Sequence, residues 1–97
     1  MAEVVFSDEA FADLERIVDF LLDTSPEHAA DALQKIRSAV DVLHMHPLVG
    51  RRVDVDIREL VISWGGTGYL ALYRLDAALN IVRILRIRHQ REAGYTD

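Results

Sequence analysis

The last third of the chain holds the groups with most scope for chemistry. Between Arg83 and Arg91 stand four arginines (Arg83, Arg86, Arg88 and Arg91) and one histidine, His89, with Tyr95 following. An imidazole titrates near neutral pH, so His89 could give or take a proton, or it could be an ordinary strand-end histidine. Tyr95 could donate a proton or simply pack the tail. The arginines could line a surface that meets something anionic, or stay solvated and pair within the chain.

Other constellations are missing. His28, His44, His46 and His89 make no metal pattern, because His44 and His46 are two apart and fall on different sides of a helix. Gly65-Gly66-Thr67-Gly68 lacks the Lys-Ser/Thr and the helix that a phosphate cradle needs, so it reads as a hairpin turn. With no cysteine there is neither a disulfide nor a thiolate site. No Ser-His-Asp signature can be placed. No metal and no cofactor are expected.

The charge is unevenly spread. Residues 1–50 hold Arg16, Lys35 and Arg37 against ten acids, whereas residues 51–97 hold eight arginines and no lysine against six acids. The net charge of −5 argues against a general nucleic-acid binder, which carries a basic surface. The 97 residues fit one domain, 1–97, with a composition that is half hydrophobic. The first residues have neither the basic nor the long apolar stretch of a signal peptide, and no apolar run could span a membrane. A soluble, cytoplasmic protein is expected.

These groups must be positioned by a small set of elements. Val4, Val5 and Phe6 form a β-prone run. Ser7 is a helix N-cap, followed by acids in the first turn. Phe11, Leu14, Ile17, Val18 and Leu21 then recur at helical spacing, with Asp13, Glu15, Arg16, Asp19 and Asp23 mostly off that stripe, on a face expected to be solvated. Phe20 also lies off the stripe and is a candidate partner contact, or a cover for the helix edge. Thr24-Ser25-Pro26-Glu27 stops one helix and starts another, with Ser25 as cap and Pro26 at the first position. Ala29, Ala32, Leu33, Ile36, Val40 and Leu43 form the second stripe, and Pro47 ends it. So short a link implies an antiparallel helical hairpin.

From His46 to Arg51 the chain is expected to be a loop. Three strands follow: Arg58 to Trp64, Tyr69 to Leu75, and Leu79 to Ile87, joined by hairpin-length turns in an antiparallel meander. Simple alternation puts Arg83, Leu85, Ile87 and His89 on one face and Val82, Ile84, Arg86 and Arg88 on the other. Val82 and Ile84 should meet the helices and Arg83 the open side. Arg74 shares a side with Leu70 and Leu72, so its stem can pack while its head reaches water. The fold class is α+β: an N-terminal strand and an antiparallel two-helix hairpin packed on a twisted antiparallel sheet completed by three C-terminal strands.

Several landmarks in this order resemble the RelE/ParE toxin superfamily. They are Pro26 opening the second helix, the His46-Pro47-Leu48-Val49-Gly50-Arg51 loop, and Arg58-Glu59-Leu60 starting a strand. Gly68-Tyr69 with Leu72-Tyr73-Arg74 follows, and then Ile84-Leu85-Arg86-Ile87-Arg88-His89-Gln90-Arg91. The resemblance, closer to ParE-like members, spans nearly the whole chain.

It implies the toxin of a type II toxin–antitoxin pair, hetero-oligomeric with a cognate antitoxin and meeting operator DNA only through that antitoxin. ParE-like members inhibit DNA gyrase, whereas RelE-like members cut mRNA on the ribosome. Many of the nucleases have arginine directly after the first tyrosine of the middle strand, where this chain has Leu70, and the loop before the sheet has no lysine. The leading expectation is therefore a gyrase inhibitor that acts by binding. The alternatives are a ribosome-dependent endonuclease using His89, Arg83 and Tyr95, or an inactive relative acting only in the antitoxin complex. The partner-binding candidates are Phe20, Arg58, Arg74, Arg83, Arg86, Arg88, Arg91 and Tyr95.

Overall fold

A computed structural model describes residues 1–64 and 67–90, with only the backbone of Ser63, Trp64 and Thr67. The sequence candidates Arg91 and Tyr95, and the Gly65-Gly66 part of the turn, lie outside the described residues. The order is β1 (Glu3–Phe6), α1 (Asp8–Thr24), α2 (Pro26–Asp41), a 3-10 turn (Val42–His44), β2 (Arg51–Arg52), β3 (Arg58–Trp64), β4 (Thr67–Asp76) and β5 (Ile81–His89). The five strands form one sheet in the order β1-β5-β4-β3-β2.

Ser7 caps α1 as its type predicts. Its hydroxyl oxygen accepts the Ala10 N–H (3.1 Å) and its hydroxyl donates to the Leu85 carbonyl (2.9 Å), so the cap also ties the helix start to β5. Ser25 does not cap α2 through its side chain. Its backbone N–H instead closes α1 on the Leu21 carbonyl (2.7 Å), and Pro26 begins α2 where a missing N–H costs nothing. On α2 the buried positions are Ala29, Ala32, Ile36 and Val40, with Leu43 following in the 3-10 turn. The small alanines let the helices approach closely. No helix among the described residues is long and apolar enough to cross a membrane.

The structure departs from the simple reading in four places. First, the sheet is mixed: β1 runs parallel to β5, from Glu3 opposite Ile81 to Phe6 opposite Ile84, while the other pairs are antiparallel. Parallel partners need a long connection, and here the helical hairpin and β2 to β4 lie between them in the chain. Second, Arg51, expected as the end of the loop, joins Arg52 to form β2 against Glu59 and Arg58. Third, Phe11 is exposed while Asp13 is 4% exposed, so the buried line on α1 runs Ala10, Asp13, Ile17, Leu21. Fourth, β5 starts at Ile81, because Asn80 takes φ 54°, a left-handed turn conformation that asparagine tolerates.

One irregularity matters most for function. Arg86 faces Leu72 across the sheet and Ile84 faces Tyr73, which leaves Leu85 without a partner of its own. This extra residue breaks the period of two, as a β-bulge does. Ile84 and Ile87, three apart, are consequently both fully buried. The expected grouping of Arg83 with Ile87 and His89 on one face does not hold.

Candidate partner-binding surface

Cross-strand partners share a face, so the register sorts the side chains. Tyr69, Ala71 and Tyr73 are buried and face the helices, and opposite them stand His89, Ile87 and Ile84. The other face carries Leu70, Leu72 and Arg74 on β4, opposite Arg88, Arg86 and Arg83. Arg83 and His89 therefore lie on opposite faces of the sheet. The Tyr69 and His89 rings meet edge to face with centroids 5.2 Å apart. Burial pushes the Tyr69 phenol above its ordinary pKa, which keeps it neutral.

Arg74 and Arg83 stand directly opposite each other. Like charges in such a pair repel, so the arrangement favours an anionic ligand between or above them. Arg74 is exposed, and Arg83 is half-buried beside Val5, its neighbour on β1.

Arg86 is already engaged. Its Nε and Nη2 donate to the two carboxylate oxygens of Asp13 on α1 (2.8 and 3.2 Å), and the Ile87 backbone N–H donates to the same carboxylate (2.8 Å). β1 ends at Phe6, level with Ile84, so the next stretch of β5's edge has no strand beside it. The Asp13 carboxylate stands in for one. Arg16 adds a longer ion pair at 3.7 Å. The sequence pattern placed Asp13 on a solvated face, because a helix-period reading cannot see a carboxylate used as a backbone partner.

A second cluster shapes the β2 edge. Arg58 donates to the carbonyls of Leu48 (3.0 Å) and Gly50 (2.8 Å), and the Gly50 N–H donates to the Tyr73 hydroxyl (2.8 Å). A Cβ on Gly50 would come within 2.6 Å of the Tyr73 ring and 2.9 Å of the Glu59 carbonyl, so only glycine fits. Burial raises the Tyr73 pKa, while the Gly50 hydrogen bond and the Arg58 charge pull it part of the way back. Arg51 pairs with buried Glu59 through its Nε (3.1 Å) and Nη2. Arg88 donates to the His89 carbonyl at 3.2 Å.

The structure thus brings Arg74 and Arg83 together, spends Arg58 and Arg86 on internal partners, and separates His89 from Arg83. Phe20 is 64% exposed on α1, and Phe11 and Leu22 are exposed on the same helix. Among the described residues, no group of three or more His, Cys, Asp or Glu could hold a metal ion.

A helical hairpin on a mixed five-stranded sheet, with Arg74 and Arg83 paired across the face away from the helices, defines a small α+β protein. Comparison with known proteins gives the family. Residues 4–94 match the family described as ParE toxin of type II toxin-antitoxin system, parDE, and the chain belongs to that family within the RelE/ParE superfamily.

Among its relatives, Toxin RelE3 of Caulobacter vibrioides is 36% identical over 92 residues, covering 95% of this chain and 98% of the relative. Toxin RelE2 of the same organism is 36% identical over 89 residues, covering 92% and 96%. Among solved structures, the chromosomal ParDE system from P. aeruginosa superposes with a TM-score of 0.72 at 27% identity, covering 90% of this chain and 94% of that one. The RelBE2 toxin–antitoxin complex from Mycobacterium tuberculosis gives a TM-score of 0.56 at 29% identity, covering 92% and 98%. The intact E. coli RelBE complex, at 11% identity and a TM-score of 0.62 over 90% and 94%, shares the fold.

Proposed function

We propose that this toxin acts by binding a protein target, DNA gyrase, and that a cognate antitoxin neutralises it. The observation that carries the binding mode is the placement of His89. Metal-free cleavage of RNA needs a proton acceptor, a proton donor and cations converging on one phosphate. Here the imidazole lies on the helix-side face against Tyr69, and Arg83 lies on the other face. The position after Tyr69 is Leu70, buried and uncharged. These features support a surface that binds over one that cleaves.

The solved relatives named above include toxin–antitoxin complexes, which supports an antitoxin partner here. Two surfaces suit it. Exposed Phe11, Phe20 and Leu22 on α1 offer apolar anchors, the kind of group that carries most interface energy. Arg74 and Arg83 offer cations for acidic residues, with Arg88 beside Leu70 at the same face.

A supercoiling assay with purified gyrase tests the target. The expected result is inhibition by the isolated chain at micromolar concentration, abolished by adding the antitoxin. No inhibition by a correctly folded chain would overturn the gyrase assignment. The RelE naming of the Caulobacter relatives favours a second reading, ribosome-dependent mRNA cleavage. Mapped cleavage within codons that vanishes in His89→Ala would establish it instead.

A further inference from the structure

We propose that the segment from Val42 to Val55 is the surface with which this toxin holds its protein target, and that the target meets it with an apolar contact rimmed by carboxylates. This rests on the reading above that the toxin acts by binding a protein. Half of the twelve exposed large hydrophobic residues among the described ones fall in this one segment: Val42, Met45, Leu48, Val49, Val53 and Val55. Arg51 and Arg52 stand among them. From Val42 to Val53 there is no acidic residue, in a chain whose net charge is −5.

The exposed side chains ride on a fixed backbone. The His46 N–H donates to the Val42 carbonyl (2.9 Å), and the Val49 N–H donates to the His46 carbonyl (3.2 Å). Arg58 holds the Leu48 and Gly50 carbonyls, and the Tyr73 hydroxyl takes the Gly50 N–H. Further on, the Val53 and Asp54 N–H groups both donate to the Ile57 carbonyl (3.0 and 3.2 Å), and Arg52 donates to the Val55 carbonyl (3.2 Å). The fold thus commits a buried tyrosine and an arginine to a loop whose own side chains face water. A loop held this way has little ordering left to lose on binding, so a given apolar area can reach a higher affinity. His46, Pro47, Leu48 and Val49 line an open hollow on it, suited to one inserted side chain.

Charge and position select the occupant. Arg51 meets Glu59 yet keeps 67% of its side chain exposed, and Arg52 is exposed beside it. With no acid of the segment's own near them, these cations favour a partner that brings carboxylates around an apolar contact. The segment also lies at the opposite end of the molecule from Phe20 and Leu22. The Ala2 N–H donates to the His44 carbonyl, which sets the segment beside the start of β1. α1 leaves the end of β1, and by Asp13 it has reached Ile87, near the end of β5. The rest of α1, roughly 16 Å of helix, carries Phe20 and Leu22 farther in that direction. An antitoxin seated on those anchors leaves the Val42–Val55 end to a second protein.

A second copy of this chain fits less well. Pairing two such segments would set Arg51 and Arg52 of one copy against those of the other, and like charges there oppose association.

Leu48→Glu with Val49→Glu, and separately Arg52→Glu, test the surface in the full chain. All three side chains are exposed, and a thermal melt checks that each variant keeps its fold. Each protein is read in a gyrase supercoiling assay and by titration calorimetry with the antitoxin. The expected result is gyrase inhibition weakened roughly ten-fold or more, with antitoxin affinity within about two-fold of the unaltered chain, whereas Leu48→Ile keeps both. Undiminished inhibition would overturn this proposal alone. Antitoxin affinity lost to the same extent would assign the segment to the antitoxin and overturn it too. If the unaltered chain leaves gyrase untouched, the gyrase reading falls and growth arrest decides the segment. Arrest lost in both variants with antitoxin affinity intact upholds it, and undiminished arrest overturns it. An unaltered chain that arrests no growth overturns both.

Discussion

The Asp13 carboxylate on α1 accepts hydrogen bonds from both the Arg86 guanidinium and the Ile87 backbone N–H of β5. A carboxylate this buried is stable only while its partners remain. Asp13→Ala should therefore cost about 3–5 kcal/mol, since it leaves a largely buried guanidinium and a backbone donor without their acceptor. Asp13→Leu combined with Arg86→Met should cost clearly less, because no charge is stranded. Urea unfolding of the three proteins measures both values. Equal losses would show that the charge pairing is incidental to stability.

Gly50 and Tyr73 make the second test. Gly50→Ala forces a Cβ against the Tyr73 ring and the Glu59 backbone, and should destabilise by about 1–3 kcal/mol. Tyr73→Phe keeps the ring but leaves the Gly50 N–H without its acceptor, a loss of about 1–3 kcal/mol. Thermal melts of each variant check these figures. An unchanged Tm in both would mean that the loop before β2 is not fixed by this contact.

The two buried phenols set the alkaline limit. Both Tyr69 and Tyr73 have raised pKa values in the folded chain, so folding favours their neutral form. The stability they contribute is fully present below the ordinary tyrosine pKa of 10.0 and is lost as pH rises through the higher folded values. Unfolding free energy should be flat in this respect from pH 7 to 9 and fall above about pH 10. Tyr73→Phe should flatten part of that fall. A decline of equal slope in that variant would place its cause elsewhere.

On the function proposed above, Arg74 and Arg83 carry the electrostatic share of partner binding. Arg74→Glu with Arg83→Glu should weaken the antitoxin complex by roughly ten- to a hundred-fold, with a smaller effect at high salt. Arg86 is left out of this set, because reversing it would put two acids against each other at Asp13. Titration calorimetry at two ionic strengths reads the effect. Unchanged affinity would move the antitoxin off the sheet face and onto the helical hairpin.

Much of this arrangement was legible in the residues. The Ser7 cap, the Pro26 restart and the alanine-lined second helix follow from local chemistry, and each was placed where it occurs. The landmark residues from Pro26 to Arg91 pointed to the superfamily. What the pattern could not show depended on long-range geometry. Leu85 slips the register by one residue, and that slip moves His89 away from Arg83. Alternation assumes an unbroken ladder and cannot anticipate it. The use of Asp13 as a buried carboxylate depends on a partner 73 residues away in sequence, so its place off the apolar stripe suggested solvent. The parallel pairing of β1 with β5 joins the two ends of the described chain, and neither strand announces it locally.

On the function proposed above, this toxin works by binding and His89 takes no part in chemistry. Induced expression of the isolated chain and of its His89→Ala variant, scored for growth, SOS induction and protein synthesis, tests it most directly. Growth arrest with SOS induction is expected from both proteins, relieved by co-expressed antitoxin. Rapid arrest of protein synthesis without SOS induction, lost in His89→Ala, would contradict it.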